Sequence, residues 1–195
     1  MRVSREKFAE NRARILDVAG KLFREKGFDG IGVADIMKAA GLTHGGFYGH
    51  FASKESLACE ASKALVDKTR MRWQEIVDAA EGDPLAALLR HYLSRRNLQS
   101  PTCVFATLTQ DVSRHGAAMQ STFTAGLTDL ADVLSPIVAG KTPQARRARA
   151  LSTLSAMMGA VILARAMDDP QLADEFLEAT RLQLSSAGGE TVSPA

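Results

Sequence analysis

Residues 33–54 read VADIMKAAGLTHGGFYGHFASK, and the fold follows from how that stretch divides. Val33, Ile36, Met37 and Ala40 recur at i, i+3, i+4 and i+7, which puts all four on one stripe of a short helix. Gly41 ends it, because the residue just past a helix often needs a positive φ that only glycine adopts without a Cβ clash. Leu42 is placed to plug the corner. Thr43 offers a hydroxyl to cap a second helix, along which Phe47 and Phe51 fall on one face and His44, Tyr48 and His50 are left for another. Two short helices around a glycine turn are the layout of a helix-turn-helix, so nucleic acid is the first partner the sequence suggests.

The stretch GLTHGGFYGHFASKESL, residues 41–57, resembles the DNA-binding motif of the TetR/AcrR family of one-component transcriptional regulators almost position by position. The glycine turn, the F-Y-x-H-F cluster and the S-K-E that recur together in that family stand here as Gly41, Phe47, Tyr48, His50, Phe51, Ser53, Lys54 and Glu55. The resemblance covers the first third of the chain in detail and the remainder in length and helical character. It implies an all-α fold, DNA as partner, a homodimer and a small-molecule effector.

Upstream, residues 2–7 are polar and basic and are expected to fray. Phe8, Ile15, Leu16, Ala19, Leu22 and Phe23 then form the apolar stripe of a first helix, which Gly27 closes and after which Phe28 turns back into the same small core. Downstream, Ser53 is placed to cap a long connecting helix over residues 55–80 carrying Leu57, Ala61, Leu65 and Ile76. Asp83-Pro84, Thr142-Pro143 and Asp169-Pro170 repeat one grammar of cap followed by proline at the first helical position. Leu85, Leu88, Leu89, Tyr92 and Leu93 continue one helix as far as Ser100-Pro101; Val104, Phe105, Leu108 and Val112 mark the next; Gly116 precedes a segment with Met119, Phe123, Leu127, Leu130 and Leu134. The expected fold is all-α, with about nine helices in three parts: a DNA-binding domain over 1–54, a helical effector and dimerisation domain over 55–186, and a tail over 187–195 too small and polar to pack.

β-branched and aromatic runs bounded by turns, the mark of strands, are scarce. The longest apolar run, residues 156–164, falls well short of the ~20 residues a membrane span needs, so the expected location is the cytoplasm. Cys59 and Cys103 lack C-x-x-C spacing and are expected to be reduced and packed. The formal net charge of +2 hides an asymmetry: residues 1–54 hold ten Lys and Arg against six Asp and Glu, and the rest fourteen against sixteen. Basic charge therefore lies where phosphate contacts need it. The four histidines are scattered, and no nucleophile with its base and no phosphate-binding glycine loop is apparent, so neither a metal, a cofactor nor an enzymatic reaction is expected.

Thr43 and the N–H groups of the following turn suit a phosphate, and Tyr48 carries a phenolic hydroxyl on a rigid stem. The resemblance assigns Tyr48 and Lys54 to the DNA backbone, contacts that fix register and carry no sequence information. His44 stands where related sequences often place arginine or lysine and is the candidate base reader, without arginine's fork for guanine. Gly45, Gly46 and Gly49 each cost about 1 kcal/mol against alanine in a helix, a cost that close backbone approach to DNA would explain. The resemblance further implies a ligand pocket, for which Trp73, His91, Cys103, Phe105, Met119, Phe123, Met157 and Met158 are candidates, each also readable as plain core. Leu151, Leu154, Met158, Ile162 and Arg165 on one helix and Phe176 and Leu177 on the next, set among small residues, are candidates for a dimer interface that would let two recognition helices grip a palindrome. The rival reading is a helical small-molecule carrier or sensor whose motif no longer reads DNA.

Overall fold

A computed structural model describes residues 4–99 and 103–186, in which every regular element is helical. The chain groups into two compact units, Met1–Asp67 with Cys103–Gly126, and Lys68–Thr102 with Leu127–Ala195. The sequence reading divides the chain after Lys54 instead.

In the first unit, α1 (Arg5–Lys26) begins one turn earlier than expected, because the Ser4 hydroxyl accepts the Lys7 N–H at 3.1 Å and caps it. It ends at Gly27, whose φ of 74° frees the chain to turn. Phe28 folds back edge-on to Phe23 with ring centres 5.3 Å apart. α2 (Val33–Ala39) starts at Gly32 without a side-chain cap and ends in a Schellman turn, Leu42 N–H to Met37 C=O and Gly41 N–H to Lys38 C=O, with Gly41 at φ 68°. A 3₁₀ turn (His44–Gly46) and the single-turn α3 (Phe47–His50) follow. Ile15, Ala19, Phe23, Phe28, Ile36, Met37, Phe47, Phe51 and Leu57 are all buried and make one core. α4 (Lys54–Asp78) opens with the Ser53 hydroxyl accepting the Ser56 N–H, as the sequence predicts. α7 (Phe105–Val112) and the first half of α8 (Ala117–Leu134) complete this unit. The Asp111 carboxylate on α7 accepts the Phe28 N–H at 3.3 Å and closes against Gly27, where an added Cβ would lie 2.6 Å from the Asp111 oxygen.

In the second unit, α5 (Pro84–Tyr92), α9 (Pro143–Arg165) and α10 (Pro170–Ser186) each start with the expected cap and proline; Asp83, Thr142 and Asp169 accept the N–H groups two or three residues on. One expectation needs correcting. The helix read as continuous from Pro84 breaks at Leu93 and Ser94, and a short α6 (Arg95–Gln99) follows, which raises the helix count among the described residues to ten. The break is stabilised by polar side chains the apolar period ignores: Ser94 Oγ donates to the His91 carbonyl and Asn97 Nδ2 to the Tyr92 carbonyl. The expected stop at Ser100-Pro101 and the tail over 187–195 lie outside the described residues. Cys59 and Cys103 are free thiols, the first half-buried and the second buried.

Candidate nucleic-acid interface

The recognition segment is held from one side. Phe47 is fully buried and Phe51 nearly so, their ring centres 5.8 Å apart, and the Phe51 N–H closes the turn on the Phe47 carbonyl. Burial on that side forces the intervening side chain outward: Tyr48 is 68% exposed, edge-on to Phe47 and free of the core around Phe28. His44, Gly45, Gly46 and Gly49 are exposed beside it, and an added Cβ at Gly45 or Gly49 meets nothing within 4 Å. The segment thus shows solvent a hydroxyl, an imidazole and bare backbone.

Two residues sit differently from the reading of the sequence. Thr43 has the extended backbone of an N-cap, but its hydroxyl accepts no N–H; the Gly46 N–H goes to the Thr43 carbonyl instead. The tight 3₁₀ turn, which closes i to i+3 on the backbone, replaces the side-chain cap. The Thr43 side chain is therefore left to the surface. His50 turns from the exposed face and stacks on Phe8 of α1 with ring centres 4.1 Å apart. Burial, aided by the Arg12 guanidinium, holds the His50 imidazole below its ordinary value. The neutral ring is favoured in the folded chain, so this contribution to stability is present above the unfolded value and is lost as the pH falls through the folded one.

The sequence reading missed how α1 braces this segment. The Arg12 guanidinium lies 4.7 Å over the Phe51 ring and pairs with Glu60 on α4, tying three elements together at the foot of α3. The signal was present as the cluster of Arg and aromatic residues, but nothing in one-dimensional spacing brings Arg12 to Phe51. Lys54 stands at the first position of α4, half-exposed, adjoining the same surface.

The other candidate residues fall into two groups. In the first unit, Phe105 and Phe123 meet edge-on at 5.1 Å, and they, Cys103 and Met119 are buried. In the second, Trp73 and Met157 are buried, Met158 is half-buried and His91 is exposed. On α9 and α10, Leu151 and Ile162 are exposed, whereas Leu154 and Leu177 are buried in their own unit. Arg165 donates to the Asn97 carbonyl at 2.6 Å. An open apolar groove of about 580 Å³ runs between α9 and α10, lined by Ala156, Leu172, Phe176, Ala179 and Leu184 among others. Among the described residues no helix is long and apolar enough to cross a membrane, and no three His, Cys, Asp or Glu side chains gather as a metal ion needs.

Comparison with known proteins bears on the same residues. Residues 15–61 match the family described as bacterial regulatory proteins, tetR family. The chain is 41% identical over 66 residues to the HTH-type transcriptional repressor KstR2 of Rhodococcus jostii, a match covering 34% of this chain and 32% of that one. It is 34% identical over 90 residues to the HTH-type transcriptional regulator AcrR of Shigella flexneri, covering 45% and 40%. The chain therefore matches 32% and 40% of the length of these two curated relatives. Fold likeness extends further. A TetR-family transcriptional regulator from Cytophaga hutchinsonii superposes with a TM-score of 0.78 at 20% identity over 100% of both chains, and one from Chloroflexus aurantiacus with 0.77 at 25% identity over 93% and 95%. Residues 15–61 thus carry a segment matching the tetR family of bacterial regulatory proteins, and the all-helical fold of the chain is like that of the solved structures.

Proposed function

We propose that this chain is a homodimeric transcriptional repressor of the cytoplasm that grips a palindromic double-stranded DNA operator and releases it on binding a small molecule. The observation that carries the reading is the outward Tyr48 on a segment anchored by buried Phe47 and Phe51, within residues that match a family of regulators. Thr43, Tyr48 and Lys54 hold phosphate, His44 reads a base edge, and Gly45 and Gly46 bring the backbone close. His50 acts by positioning α3 against Phe8. The apolar face of α9 and α10 supports pairing of two copies, which sets two recognition helices ~34 Å apart on successive grooves. A ligand that favours another spacing releases the operator by shifting the population. No enzymatic step is part of this reading.

A salt titration of binding to fragments flanking the chain's own gene tests it. Affinity falls steeply with salt, and Lys54→Ala flattens the log–log slope by about one unit. Absence of retention of any such fragment at low salt overturns the reading.

Gly45 and Gly49 supply a second expectation with two signs. Neither has positive φ and neither has a neighbour for a Cβ to strike, so Gly45→Ala and Gly49→Ala each raise stability by about 0.4–1 kcal/mol. The same methyl holds the backbone off the groove and weakens operator binding. Stability by urea titration and affinity by fluorescence anisotropy move in opposite directions; an unchanged affinity in the double variant shows that the glycines serve no close approach.

A further inference from the structure

In the second unit, the start of α5, the turn after α8, the first half of α9 and the end of α10 line a half-open cavity of about 170 Å³. Local hydrogen bonds set its walls. Asp83 accepts the Leu85 and Ala86 N–H groups and so starts α5, and the chain turns after α8 because Ile137 and Val138 both donate to the Leu134 carbonyl. α10 packs on both α9 and α5 and brings Leu184 to the same lining. None of the residues that the sequence suggests for an effector pocket lines this cavity.

One group in the lining is unsatisfied. Thr153 on α9 is only 1% exposed, yet its hydroxyl makes no hydrogen bond among the described residues. Thr107, Thr109, Thr122, Thr124 and Thr180 each donate to the carbonyl four residues before, the usual outlet for a threonine on a helix. A buried hydroxyl without a partner costs free energy that a bonded one recovers. The Thr153 Oγ1 is not sealed as His50 Nδ1 is, so the sliver of surface Thr153 keeps includes its hydroxyl, and the residue lines the cavity. A molecule entering there meets a hydroxyl able both to donate and to accept.

The rest of the lining states what else that molecule must be. Leu85, Ile137, Val138 and Leu184 present apolar walls, with Val138 5% and Leu85 9% exposed. Asp83 and Arg149 bring one charge of each sign, so the lining has no net charge to favour an ion. An apolar cavity of about 150 Å³ holds one benzene ring, which sets the size of the occupant.

We propose that this cavity binds a neutral, ring-sized molecule carrying one hydroxyl, which Thr153 recognises by a hydrogen bond. The site stands independently of the DNA-binding reading, because its test reads binding and not operator release.

The experiment titrates phenol and toluene, two probes of one shape, into the full chain and follows the Val138 methyl signals by NMR, identified by their loss in Val138→Ala. Both probes move the signals, and Thr153→Val lowers the phenol-to-toluene affinity ratio by at least about fivefold. The free Thr153→Val chain keeps its fold, with a urea midpoint no lower than the parent's, because the methyl replaces a hydroxyl that had no partner to lose. Ala139→Leu, an exposed position on the lining, fills the cavity and removes both responses. An affinity ratio that Thr153→Val leaves unmoved overturns the proposal, as does a phenol response that survives Ala139→Leu. Tighter binding of benzoate or benzylammonium than of phenol also overturns it, in favour of a charged ligand.

Discussion

Phe47→Ala is expected to lower the stability of the chain by about 3–5 kcal/mol and to abolish DNA retention with it. Phe47 is fully buried, and α3 is four residues long, far too short to hold its own helical geometry in water. Its neighbours do not supply that order, since three of the six residues from His44 to Gly49 are glycine and the preceding turn lacks a side-chain cap. What holds the recognition segment is therefore the Phe47 ring in the core, assisted by Phe51 beneath the Arg12 guanidinium. Against a typical total stability of about 5–15 kcal/mol, the loss is large enough to populate a state with the segment melted. Tyr48→Phe is the control: an exposed hydroxyl is removed, the urea midpoint stays, and only a phosphate contact is lost. An unchanged urea midpoint in Phe47→Ala would show that the segment is ordered by something other than this ring.

Much of this was legible in the sequence, and the reason is local. Gly41 and Gly27 announce positive φ, and Asp83, Thr142 and Asp169 announce helix starts through hydrogen bonds spanning two or three residues, a distance that one-dimensional reading captures. The buried pair Phe47 and Phe51 follows from helical spacing alone. What was not legible depends on contacts far apart in the chain or on polar side chains competing with the helix. The break at Leu93 rests on Ser94 and Asn97 bonding to nearby carbonyls, a choice the apolar period of α5 does not record. Thr43 was read as a cap on residue type, but the 3₁₀ geometry closes on its backbone oxygen. His50 shares its polarity with His44, and only the approach of Phe8 from α1, 42 residues earlier, separates a stacked ring from an exposed one.

The second large effect is expected at the surface of α9. Leu151 and Ile162 are 44% and 42% exposed, and Leu163, Leu172 and Leu182 on the same two helices are exposed to similar or greater degree. Leu151, Ser155, Met158 and Ile162 recur at i, i+4, i+7 and i+11, one face of a helix, and Leu172, Phe176, Ala179 and Gln183 do the same on α10 beside the open groove. Apolar side chains left on one face across two long helices suit an interface, and the proposed dimer would cover them with a second copy. In the double variant Leu151→Glu and Ile162→Glu the carboxylates remain in water in the separate chain, so its fold survives. In the dimer each copy must bring two unpaired carboxylates into an apolar seam, at several kcal/mol per buried charge, and association is lost. Sedimentation equilibrium should find the parent chain dimeric and the variant monomeric at micromolar concentration. Operator affinity should then fall by at least about 100-fold, because the second recognition helix no longer arrives at the high effective concentration that linkage to the first provides. A parent chain that sediments as a monomer, or a variant that stays dimeric, would place the subunit contact elsewhere.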